Sequence, residues 1–97
     1  MEQQLQKCKS LGRLIADLEQ RLAINNAERE AFLERNREIG FAKQKERDIE
    51  RLKELRAEQR RLVRRTQRID SENTAIERRL VELRNDWSFT QCDKLDP

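Results

Sequence analysis

Between Leu52 and Trp87 apolar residues return every three or four positions, and that pattern leaves few folds open. Read in heptads with Leu52 at a, the d positions are Leu55, Leu62, Ile69, Ile76 and Leu83. The a positions are Leu52, Gln59, Thr66, Asn73, Leu80 and Trp87. One column is Leu or Ile throughout, and the other is apolar at its ends and polar in its middle. This is a coiled-coil stripe. The helix that carries so narrow a stripe cannot bury it, so it calls for a partner helix.

Composition agrees with a long helix. The 97 residues are 42% charged and 4% aromatic, with two Gly and one Pro, too polar to wrap a globular core. A disordered chain can be as charged, but it has no reason to hold Leu and Ile in register over successive heptads while excluding Gly and Pro. The expected fold class is all-α, a long helix forming a coiled coil. No apolar run reaches the ~18 residues of a membrane span, and no signal-peptide core is seen. A soluble cytoplasmic protein is the resulting expectation.

The cysteines fit that expectation if the helix is one rod. Cys8 and Cys92 are 84 positions apart, about 126 Å along a continuous helix, too far to bridge. Cys8 falls at an a position of an N-terminal seam and reads as a small buried apolar residue rather than a redox group. The chain has no His, so neither a Cys/His metal site nor a cofactor is expected.

That N-terminal seam spans residues 1–39, with Met1, Cys8, Ile15 and Leu22 at a and Leu11, Leu18, Phe32 and Ile39 at d. Ile15, Leu18 and Leu22 are its expected interface residues. Asn25, Arg29 and Asn36 occupy its second half, where polar groups cost stability and pairing is expected to be looser. The two seams differ in register by two positions, and the slip falls at Gly40. Residues 40–48 therefore read as a register slip or hinge, and no cluster of Gly, Pro, Asn or Ser marks a true turn there. Residues 49–87 form the second coiled-coil segment. From Ser88 to Pro97 the periodicity stops, which predicts a flexible, disordered tail.

Charges beside the second seam predict how it pairs. The g positions read Arg51, Glu58, Arg65, Glu72, Arg79 and Asp86, and the e positions include Arg56, Asp70, Glu77 and Arg84. A parallel homodimer sets Arg51 against Arg56, Glu72 against Glu77 and Arg79 against Arg84, three repulsions, with Arg65 against Asp70 as the one attraction. An antiparallel pair sets Arg51 against Asp86, Glu58 against Arg79, Arg65 against Glu72 and Arg56 against Glu77. Each exposed pair contributes only a few tenths of a kcal/mol, so the sum decides orientation rather than whether helices associate. The expected partner is a coiled-coil protein, in an antiparallel homodimer or in a heterodimer with complementary charges.

Arg60, Arg61, Arg64, Arg65 and Arg68 form an arginine-rich face with no acid between Glu58 and Asp70. Such a face binds polyanions, whether nucleic acid, acidic protein tails or anionic lipid. The plainer reading is a solvated outer surface, because the net charge is only +3. A basic leucine zipper does not fit: Glu28, Glu30, Glu34, Glu38, Glu46 and Asp48 stand where its basic region belongs, so nucleic acid is an unlikely partner. Nothing points to catalysis or to a small-molecule substrate, since exposed carboxylates on a rod have no concave pocket to desolvate them.

Ala31, Arg35-Asn36, Ala42-Lys43-Gln44, Glu46, Leu52, Leu55, Ala57-Glu58 and Arg65 resemble the corresponding stretch of the small coiled-coil subunit of intraflagellar transport complex B. The resemblance implies a heteromeric scaffold associated with cilia or the cytoskeleton. It stops after Arg65. The function expected from all these features is non-enzymatic: an oligomerisation or scaffold subunit that assembles with itself or with another coiled-coil protein.

Overall fold

Two long helices account for nearly all of the chain. The computed structural model describes residues 2–95, and among them there is no strand. Helix α1 spans Glu2–Lys45 (44 residues), α2 spans Ile49–Phe89 (41 residues) and α3 is the single turn Cys92–Leu95. The fold is all-α, as the heptads require. No helix among the described residues is long and apolar enough to cross a membrane. Two compact units divide the chain, Asn25–Glu72 and Met1–Ile24 with Asn73–Pro97.

The unit Asn25–Glu72 is a helical hairpin: the break falls within the expected residues 40–48, but as a true turn at 46–48 and not as a slip at Gly40. Helix α1 passes through Gly40 without interruption, and the chain reverses at Glu46, Arg47 and Asp48. Two acidic side chains build this turn in place of Gly or Pro. Glu46 Oε1 accepts hydrogen bonds from the Arg47 and Asp48 amides, each at 3.1 Å. Asp48 Oδ1 accepts from the Glu50 amide at 3.1 Å while the Asp48 carbonyl accepts the first helical bond, from Leu52 N, at 3.0 Å. Asp48 is thus the N-cap of α2 and satisfies a donor that the helix start leaves open. Seams that fail to meet on one helix are what two helices show when the residues between them leave the helical path. Asp48→Ala is expected to destabilise the protein by about 1 kcal/mol in urea unfolding. A Cβ at Gly40 meets nothing within 4 Å, so Gly40→Ala is expected to stabilise it by about 1 kcal/mol through helix propensity.

The hairpin buries the seam within the chain. Ile39, Leu55 and Leu62 form a buried cluster with Phe32 packed against it, and Ile69 is also buried. The polar column is satisfied locally: Lys43 Nζ donates to Gln59 Oε1 at 2.9 Å, and Thr66 Oγ1 donates to the Leu62 carbonyl of its own helix at 2.9 Å. Arg35 grips Glu58 with two bonds, Nε to Oε1 at 2.9 Å and Nη2 to Oε2 at 3.0 Å, and Arg29 Nε reaches Asp70 Oδ1 at 2.8 Å. As the α1 number falls from 35 to 29 its α2 partner rises from 58 to 70, so the arms run antiparallel.

Bidentate bonds from Arg35 hold the Glu58 carboxyl below its ordinary range, against a smaller opposing push from burial. Glu58, and behind it Glu38, raise the Arg35 guanidinium in turn. Glu58 has the depressed folded value, so its contribution is present above the ordinary carboxylate range and is lost as pH falls through the lowered value.

Antiparallel pairing is therefore realised, but the partner differs from the second chain that the charges suggested. Arg51 pairs with Glu54 rather than Asp86, Glu58 with Arg35 rather than Arg79, and Arg79 with Glu82. A partner tethered by a three-residue turn is present at a far higher effective concentration than a second molecule. Helix α1 also supplies charges and a polar partner that an α2 copy lacks.

The other unit pairs the N-terminal part of α1 with the C-terminal part of α2. Cys8 and Cys92 form a disulfide with a Cα–Cα distance of 5.5 Å, and both are buried. They join Leu11 and Leu83 in a cluster against which Ile15, Leu18 and Trp87 pack. Ile76 and Leu80 are buried in the same seam. A Cβ on Gly12 would stand 3.3 Å from Cζ3 of the Trp87 indole, so Gly12 provides the room into which the ring fits. Arg84 Nη2 meets Glu19 Oε1 at 3.1 Å.

This pairing overturns one expectation and narrows another. The cysteines bridge because the chain turns back, so the distance along a single rod does not apply. The segment read as a disordered tail is in part built: Ser88 and Phe89 finish α2, Gln91 takes a left-handed φ of 60°, and Gln4 Nε2 donates to the Thr90 carbonyl at 2.8 Å. Its last two residues, 96 and 97, and the seam residue Met1 lie outside the described residues.

Candidate partner-binding groove

With the seam closed, the sequence-predicted interface residues are spent inside the chain. Leu55, Leu62, Ile69, Ile76, Leu80 and Leu83 are buried, and Ile15, Leu18, Leu22 and Leu52 are half-buried. Asn25 and Asn73, polar residues of the two seams, are also buried, and each has an interaction partner.

What remains open in the hairpin unit is a groove on the outer side of α2. It has a volume of about 490 Å³ and is lined by Arg56, Gln59, Arg60, Val63 and Arg64. Spacing explains the arrangement. Residues four apart on a helix lie one above another, so Arg56, Arg60 and Arg64 make a row and Val63 sits beside it. Val63 is 48% exposed. Val63 and the long aliphatic stems that arginines carry account for the groove's mainly apolar walls. Among the described residues, Arg56, Arg60 and Arg64 have no ion-pair or hydrogen-bond partner.

Val63 also borders a smaller cavity of about 120 Å³ between the arms, together with Phe32, Leu33, Asn36, Leu62, Thr66 and Gln67. Asn36 Oδ1 is buried and accepts no hydrogen bond. An acceptor in that state is costly unless something donates to it.

The arginine face read from the sequence is thus divided. Arg60 and Arg64 line the groove. Arg65 instead stacks over the Phe32 ring, 5.8 Å from its centroid, a cation–π contact. Arg61 lies close enough to Glu58 to help hold its carboxylate charged. Arg68 is exposed and lines neither cavity. Arg56, assigned from the heptads to pairing with Glu77, is the third arginine of the groove. Heptad reading passed over Val63, yet it was visible as the aliphatic residue among the e positions Arg56, Val63, Asp70, Glu77 and Arg84.

No group of three or more His, Cys, Asp and Glu side chains comes together as a metal site among the described residues. The chemistry available is ionic and apolar contact on an extended helical face. Compared with family models, with curated proteins and with solved structures, the chain matches none.

Proposed function

We propose that this chain is a non-enzymatic assembly module that brings a partner protein to the outer face of α2. The observation that carries this reading is the groove: its three unpaired guanidiniums flank an exposed aliphatic residue, while the seam itself is closed by α1. Other exposed apolar residues, among them Phe41 and Ile49, are more open than Val63; what sets Val63 apart is the row of unpaired arginines beside it, four apart, whose charge is left for an outside ligand. Binding nucleic acid or lipid through the whole Arg60 to Arg68 face is the weaker reading, because Arg65 is engaged by Phe32 and Arg61 sits beside Glu58.

A ciliary or cytoskeletal setting rests on the resemblance over residues 31–65 alone. The Cys8–Cys92 bond pulls against a cytosolic setting, where thiols are kept reduced. Both sulfurs of that bond sit inside an apolar cluster that their pairing completes. We therefore place the module where disulfides persist.

A photo-crosslinking amino acid at position 63, with position 51 as control, tests assembly in the native cells. Arg51 is exposed and already paired with Glu54. A discrete protein adduct at 63 and none at 51 is expected. Equal adducts at both positions, or none at either, would contradict the proposal.

A further inference from the structure

We infer that the Arg56–Arg60–Arg64 groove takes an acidic amphipathic helix of a different protein, with carboxylates on the three guanidiniums and an aliphatic side chain on Val63. This rests on the assembly reading above and names its partner by chemistry.

Spacing is the first support. Four residues of helix rise about 6 Å, so the row presents cations at about 6 Å intervals. A helix lying alongside offers carboxylates at the same interval when Glu or Asp recur every four residues. Guanidinium and carboxylate are matched in shape as well as charge, each arginine offering a planar fork to two oxygens.

The walls are the second support. A nucleic-acid backbone or a lipid headgroup would satisfy the guanidiniums and leave Val63 wet. An amphipathic helix uses both, burying an aliphatic group between its carboxylates.

A second copy of this chain is a poorer fit. In the hairpin unit the exposed carboxylates of Glu34, Glu38, Glu50 and Glu54 are already tied to Arg37, Arg35, Lys53 and Arg51, and the exposed Glu28 and Glu30 are two apart, a spacing that does not put both on one face of a helix. The chain is net positive besides, at +3. A negatively charged partner gains from that excess, whereas a like-charged copy does not.

The test uses the oxidised full chain and a short synthetic helical peptide with Glu every four residues and Leu on the same face. Controls are a peptide of the same composition scrambled so that Glu and Leu share no face, duplex DNA, and phosphatidylserine-containing vesicles. At physiological ionic strength the ordered peptide is expected to bind, and the scrambled peptide several-fold more weakly. Arg60→Glu with Arg64→Glu is expected to lower affinity about tenfold or more, with helix content unchanged by circular dichroism because both side chains are exposed. Val63→Ser should cost about fourfold. A peptide with Lys in place of Glu should bind the doubly reversed variant, which separates charge recognition from damage to the fold.

Equal binding of ordered and scrambled peptides would overturn the inference. So would tighter binding of DNA or vesicles than of the ordered peptide, or unchanged affinity after charge reversal. If the peptide fails while position 63 still crosslinks to a protein in cells, the acidic helix is wrong and the assembly reading stands. Failure of both removes both.

Discussion

Reducing the Cys8–Cys92 bond is expected to destabilise the protein by about 4 kcal/mol. The bond closes a loop with a sequence separation of 84, and a cross-link over a loop of that length restricts the unfolded chain by roughly 4.5 kcal/mol in the loop-entropy description. Relief of folded-state constraints returns part of that. For a chain whose core is one narrow seam, such a loss is large against the ~5–15 kcal/mol that holds typical domains together. Urea unfolding with and without reductant, and of a Cys8→Ala, Cys92→Ala variant, measures it. A lower midpoint with a steeper denaturant dependence is expected, because the reduced unfolded chain exposes more surface. Amide exchange should quicken first in residues 2–24 and 73–89, the helical stretches that the bond staples. A shift below about 1 kcal/mol would mean that the bond does not constrain the unfolded chain.

The second large effect belongs to Leu55→Asp. Leu55 is 2% exposed and packs with Ile39 and Leu62. Truncating such a leucine alone costs about 2–5 kcal/mol. A carboxylate placed there must also be buried without a counter-ion or else protonate, which adds several kcal/mol. The sum exceeds what a two-helix unit can spare, so circular dichroism should show most of the helix signal lost. Val63→Asp is the matching control. At 48% exposure it is expected to shift stability by less than about 1 kcal/mol. Similar losses in the two variants would mean that the buried face of α2 has been misassigned.

Both effects depend on a chain reversal that the heptads concealed. The columns Leu55 to Leu83 and Cys8 to Ile39 were legible because a buried stripe repeats along its own helix. Which helix faces which is a matter between segments, and a stripe carries no mark of its partner. The charges carried half of that information. The g row Arg51, Glu58, Arg65 and Glu72 called for an antiparallel neighbour, and the structure supplies one, but from α1 through Arg35 and Arg29. Reading α2 only against itself made a homodimer the simplest solution.

The turn was concealed for a different reason. Gly40 drew attention as a weak helix former, yet one Gly in a long helix costs only about 1 kcal/mol, which neighbouring turns absorb. Asp48 was the informative residue. An acidic side chain just before Ile49 is an N-cap signal, and the two-position offset between seams agrees with a helix start there. Once the chain is known to reverse, the length of a single rod no longer separates Cys8 from Cys92, which bond, or Gly12 from Trp87, which meet.

The groove was legible only in part. Arginines at 60 and 64 stood out as a run of like charge, but a run says nothing of which members find partners. Arg65 is claimed by an aromatic ring from α1, and Arg56 is freed because its expected antiparallel partner is not opposite it. Both depend on contacts between the helices, which exist only once the chain has folded back.

Folding back within one molecule is the central claim, and the isotopic composition of the disulfide tests it most directly. Unlabelled and heavy-isotope chains are mixed unfolded, reoxidised together and proteolysed without reduction, and the peptide pair containing Cys8 and Cys92 is weighed. An intrachain bond yields pairs that are wholly light or wholly heavy. A mixed pair of comparable abundance would mean that Cys8 of one molecule bonds Cys92 of another, and that the antiparallel seam is closed between chains.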